Sequence, residues 1–99
     1  MPSSLDSFEE FDRLLAASRT EVDAMFAHEP NDPAIGSIKR QLDALHGWTR
    51  GARCPSQAEK DRLNFGLIAS RELDTYPVSS GLYELASFVI WWEAPQGQP

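Results

Sequence analysis

Three charged residues, Arg71, Glu72 and Asp74, stand close enough together in this 99-residue chain to suggest a chemical site. Their spacing argues otherwise. Arg71 and Glu72 are neighbours, and on a helix of 3.6 residues per turn neighbours point about 100° apart. Such a pair meets other helices or a partner more readily than it acts jointly on one substrate. The two histidines, His28 and His46, belong to different segments, and no Cys or His stands at metal-ligand spacing. Cys54 is the single cysteine, so no intrachain disulfide can form, and its place before Pro55 reads as a structural or incidental thiol. No glycine-rich phosphate loop follows a strand, and no nucleophile elbow is present. The chain is therefore expected to have no catalytic residues, no metal and no cofactor, and not to be an enzyme.

Charge narrows the function further. The formal net charge is −6. Nucleic acid or an anionic membrane surface would require a basic patch to neutralise phosphates, so neither is an expected partner. Residues 1–32 hold eight acids and two arginines, a balance equal to that of the whole chain, whereas residues 33–62 carry six bases and three acids. The acidic first third is either a solvated helix face or a docking surface for a basic protein. Its first thirty residues contain no apolar block resembling a secretory signal, which sets the expectation of a cytoplasmic protein. The longest apolar run, Leu85 to Trp92, is too short to span a membrane.

The segments that must position these residues read as helices throughout. A chain of this length buries roughly 60–68% of its unfolded surface, enough for a core but not for a large active-site cavity as well. Residues 4–28 carry Phe8, Phe11, Leu15, Val22, Met25 and Phe26 at helical spacing, behind a capping pattern at Asp6/Glu9 or Ser7/Glu10. Pro30 and Pro33 break the chain. Asp32 can then cap a helix over 33–52 whose stripe is Ile35, Ile38, Leu42, Leu45 and Thr49. Ser56 to Glu59 is a further capping box, opening a helix over 57–74. Within it Leu63, Gly66, Leu67, Ser70 and Leu73 or Asp74 share one face, beside a second stripe of Phe65, Ile68 and Ala69. This is the expected central helix, with Leu67 buried and Gly66 at a close crossing. Ser79 or Ser80 caps the last helix, 80–93, with Leu82, Leu85, Ala86, Val89 and Trp92 or Glu93 inward. Tyr83, Phe88, Ile90 and Trp91 lie elsewhere on its circumference, more apolar surface than one contact needs. The fold class that follows is all-α, a small antiparallel bundle of four helices. Residues 1–94 form a single helical domain and 95–99 a disordered tail.

The run Leu63-Asn64-Phe65-Gly66-Leu67-Ile68-Ala69-Ser70-Arg71-Glu72-Leu73-Asp74, followed after a short turn by Leu82-Tyr83-Glu84-Leu85-Ala86, resembles a family of small bacterial immunity proteins. Its best-known members neutralise type VI secretion effectors whose toxin domain hydrolyses NAD and NADP. The resemblance covers roughly residues 34–92 and is sharpest from 63 to 86. It implies a non-enzymatic cytoplasmic protein that binds a co-encoded toxin domain and blocks its substrate cleft.

The expected partner is thus a cognate effector toxin domain, probed through acids and aromatics. Glu9, Asp12, Glu72, Asp74 and Glu84 are the candidate charges for steering, and Tyr83 and Trp91, with Trp92, the candidate anchors. The alternative is a helical adaptor or homo-oligomeric structural protein that leans on the apolar last helix.

Overall fold

The computed structural model describes residues 5–92, and among these every regular element is helical. The elements are α1 (Phe8–His28), α2 (Pro33–Trp48), a 3-10 turn (Arg50–Ala52), α3 (Gln57–Asp61), α4 (Phe65–Glu72) and α5 (Val78–Trp91). Four of them close a ring around the core: α1 packs on α2, α2 on α4, α4 on α5, and α5 back on α1. The expected tail, 95–99, lies outside the described residues, as does Glu93.

Local signals start the first two helices. The Ser7 hydroxyl accepts from the Glu10 amide, while the Glu10 carboxylate reaches back to the Asp6 amide, one residue short of a closed box. Phe11, Leu15, Ser18 and Val22 recur at steps of four, three and four and are buried. Asp32 Oδ1 accepts from the amides of Ala34 and Ile35, with Pro33 at the first helical position. The expected seam Ile35, Ile38, Leu42, Leu45 and Thr49 is buried in full, and the Thr49 hydroxyl is satisfied by donating to the Leu45 carbonyl at 2.8 Å. The helix ends at Trp48 rather than 52. Gly51 and Ala52 turn left-handed, at φ 72° and 65°, and a helix cannot pass through such residues.

The helix expected over 57–74 is broken. Its capping box forms as read, with Ser56 and Glu59 exchanging both hydrogen bonds. Glu59 also takes a forked bond from Arg53, which donates on to the Trp48 carbonyl and so pins the loop after α2. The interruption spans 62–64: the Arg62 and Leu63 amides bond carbonyls three residues back, and the Asn64 amide turns to a side chain on α2. Gln41 Oε1 accepts from the Asn64 amide at 2.7 Å, and Gln41 Nε2 donates to the Asn64 side chain at 2.6 Å. That pairing takes the Asn64 amide out of the helical ladder. α4 therefore restarts at Phe65 in a new phase.

The restart decides which stripe is inward. Phe65, Ala69 and Leu73 are buried and Ile68 is half-buried, whereas Leu67 is 52% exposed. Of the face expected at the centre of the bundle, Leu73 is buried but Leu67 is corrected to the surface, while the second stripe faces inward. Gly66 does lie at a close crossing: a Cβ there would stand 2.9 Å from the Ala86 Cβ on α5.

α5 begins at Val78, and neither Ser79 nor Ser80 caps it. Both hydroxyls instead donate back to carbonyls of the preceding turn, Ser79 to Tyr76 at 2.8 Å and Ser80 to Pro77 at 3.3 Å. Leu82, Leu85 and Val89 fill the core. Phe88, outside the expected stripe, stacks on Phe11 at 4.7 Å between ring centres, and Trp92 meets both rings and Phe8 edge-on or tilted. This aromatic cluster fastens the start of α1 to the end of α5. The Trp92 carbonyl in turn accepts from Lys60 Nζ and, at 3.5 Å, from the Cys54 thiol.

Candidate interaction surface

The charged residues singled out in the sequence do not converge. Glu9 and Asp12 are exposed on the first turns of α1, beside the aromatic cluster that holds the end of α5. Glu72 and Asp74 are exposed at the far end of α4. Between those two ends α5 runs 14 residues, roughly 20 Å at 1.5 Å per residue. Asp74 is joined to one other candidate, accepting from the Tyr83 hydroxyl at 3.3 Å. Partial burial and the Asp74 charge both raise the Tyr83 pKa above its ordinary 10.0. Glu84 is half-buried on the same helix. Trp91 is 55% exposed, whereas Trp92 is half-buried and packs against the core.

Arg71 and Glu72 are both exposed and line a shallow hollow of about 470 Å³ against the start of α2, with Asp32 and Ser37. No buried polar side chain among the described residues lacks a partner, and no three His, Cys, Asp or Glu side chains there converge as metal ligands.

Part of the acidic surface is already engaged. Lys39 bonds Asp23 at 2.8 Å and Asp43 at 3.4 Å, and Arg19 bonds Asp43 at 3.1 Å, so these charges lace α1 to α2. The hydrogen bond to Asp23 is the largest influence raising the Lys39 pKa above its ordinary 10.5. Glu9, Asp12, Glu21 and Glu29 remain exposed, and none takes part in an ion pair among the described residues.

A separate part of the surface is apolar. Leu67 on α4 and Ile90 on α5, 52% and 69% exposed, line one groove of about 290 Å³ floored by Gly66 and Ala86. The floor is shallow because Gly66 lets the two helices approach. Trp91 stands one residue beyond Ile90. The sequence revealed the α5 half of this surface as surplus apolar area. It hid Leu67, because the periodicity of 57–74 carries no sign that the phase resets at Asn64. Tyr76, which no sequence pattern singled out, is exposed at the turn between α4 and α5.

A small helical chain whose exposed features are an apolar groove, aromatic side chains and unpaired carboxylates has the make-up of a protein-binding module. The family model Tsi6 matches residues 7–79, which takes in α1 to α4 and the start of α5. The chain belongs to the Tsi6 family of type VI secretion immunity proteins, a generally non-enzymatic group whose role implies binding a cognate effector protein. No curated protein and no solved structure matches the chain. No helix among the described residues is long and apolar enough to cross a membrane.

Proposed function

We propose that this protein is a cytoplasmic immunity protein that binds the toxin domain of a co-encoded type VI effector and covers its substrate cleft, with no catalysis of its own. The observation that carries the proposal is the family match across residues 7–79. The toxin we assign is an NAD(P) glycohydrolase, on the strength of the sequence resemblance over 63–86. Short connections at 29–32 and 73–77 support an antiparallel run of α1 with α2 and of α4 with α5.

The contact is assigned to the α4/α5 face. Leu67, Ile90 and Trp91 supply apolar and aromatic area of the kind that dominates interface energetics. The outlying acids Glu9, Asp12, Glu72 and Asp74 supply a negative rim. A cleft that holds the phosphates of NAD is basic, so this rim accelerates encounter.

Binding kinetics against the co-encoded toxin domain, at low and high salt, test both roles. Reversing the four rim acids together should slow association by roughly one order of magnitude and flatten its salt dependence. Trp91→Ala should instead raise the dissociation rate. Unchanged association on charge reversal removes the rim role, and no binding by the native chain removes the immunity reading. Self-association through the α4/α5 groove, read by sedimentation, would transfer that groove to a second copy of the chain.

A further inference from the structure

We infer that the hollow between Tyr76 and the end of α1 receives a single arginine or lysine side chain from the effector. This rests on the effector-binding reading above and extends it to a second contact point, away from the α4/α5 groove.

The hollow measures about 160 Å³ and is lined by Met25, His28, Glu29, Ile35 and Tyr76. Its walls combine two chemistries. Met25, Ile35 and the Tyr76 ring offer apolar and aromatic area, which suits the methylene stem of a long cationic side chain. Glu29 offers an exposed carboxylate outside every ion pair among the described residues. α1 ends at His28, so the negative end of a 21-residue helix dipole points to the same place. No lysine or arginine lines the hollow, and His28 is the one lining residue able to carry positive charge. An incoming cation therefore meets a carboxylate, a helix carboxyl end and an aromatic ring, and the amino end of α2 that Ile35 brings to the wall is already capped by the Asp32 carboxylate. A carboxylate or phosphate would meet the reverse.

A second hollow on the other side of Tyr76 shares Met25 and contains Glu21. It is the poorer receptor, because Glu21 and Ala24 stand in the interior of α1, with no helix carboxyl end beside them. Tyr76 and Met25 thus form a ridge with acids on both sides, and the charge arrangement favours the Glu29 side.

Two probes test the assignment. The first is a blocked Gly-Arg-Gly peptide titrated into the full chain, with Gly-norleucine-Gly as the uncharged control, followed by NMR. The arginine peptide should move the Met25 methyl and Tyr76 ring signals in a salt-sensitive way. The shifts should vanish in Tyr76→Ala and weaken in Glu29→Gln, while Tyr76→Phe keeps them. Equal shifts from the norleucine peptide, or none from either, overturn the inference. The same signals moving with protein concentration alone would give the hollow to a second copy and also overturn it. The second probe is the co-encoded effector domain. Tyr76→Ala and Glu29→Gln should each weaken binding by roughly tenfold, in line with a partly exposed cation–aromatic or charge contact. If the native chain binds and both variants bind equally well, the inference fails and the immunity reading stands. If the native chain does not bind, the immunity reading fails and the peptide titration still decides the chemistry of the hollow. Tyr76 and Glu29 are both exposed, so both variants should fold.

Discussion

Phe65→Ala and Leu67→Ala, two residues apart on α4, should separate stability from binding. Phe65 is 1% exposed and packed in the core; Leu67 is 52% exposed and faces the groove. Full burial of a side chain of this size contributes about 1.5–3 kcal/mol by area alone. Truncation in a core adds a cavity term, bringing Phe→Ala to about 3–5 kcal/mol. Leu67 has only about half its area to lose and leaves no enclosed cavity, so its truncation should cost no more than about 1 kcal/mol. Against a total stability of about 5–15 kcal/mol, the first change approaches unfolding and the second is minor. For a domain of this size, 1 kcal/mol shifts Tm by about 4–8 °C. Urea unfolding followed by circular dichroism gives both numbers, and unchanged m-values would show that the comparison is sound. The same two proteins are then measured against the effector domain. Leu67→Ala should keep its fold and lose affinity. A stability loss above about 2 kcal/mol for Leu67→Ala, or a loss below about 1 kcal/mol for Phe65→Ala, would refute the phase of α4 and the groove with it.

The Gly66 crossing makes a second prediction: Gly66→Ala should destabilise by about 1–3 kcal/mol as an overpacked contact. Ala86→Gly in the same chain should recover part of that loss, and urea titration of the double-mutant cycle measures the coupling. Alkaline stability gives a third. Lys39 and Tyr83 both have folded-state pKa values raised above their ordinary 10.5 and 10.0. Each therefore stabilises the fold below its ordinary value, and that contribution is lost as pH rises through the raised one. Stability should fall above about pH 10, and Lys39→Met combined with Tyr83→Phe should flatten that fall in thermal melts across alkaline pH.

Where a helix is governed by its own residues, the sequence was informative. Asp32 with Pro33, and Ser56 with Glu59, cap as read, and the α2 seam from Ile35 to Thr49 is buried without exception. Failures occur where a distant residue intervenes. At the break over 62–64 the Asn64 amide and side chain bond Gln41, 23 positions earlier, a pairing that local periodicity does not announce. Once the ladder is cut, the α4 face shifts and Leu67 passes from expected core to surface. Ser79 and Ser80 failed for another reason. A hydroxyl is donor and acceptor alike, and here both serve as donors to the turn behind them. The candidate acids were legible as acids, but their division between two ends of the bundle depends on which helix packs on which.

That division bears on how one interface could use them. A standard contact takes about 800 Å² from each partner, a patch about 30 Å across. Centred on the Leu67–Ile90 groove, such a patch reaches along α5 to Trp91 at one end and to Tyr83 and Asp74 at the other. Interface centres are depleted of charge and their rims are polar. The groove meets that condition: its one charged lining residue is Lys60, whose ammonium already donates to the Trp92 carbonyl. Asp74 then falls at the periphery, where a charge alters the rate of encounter more than the lifetime of the complex. In the proposed interface, the residues that steer a partner and those that retain it are thus different residues. The groove itself is positioned by the crossing that Gly66 permits and by the restart of α4 at Phe65.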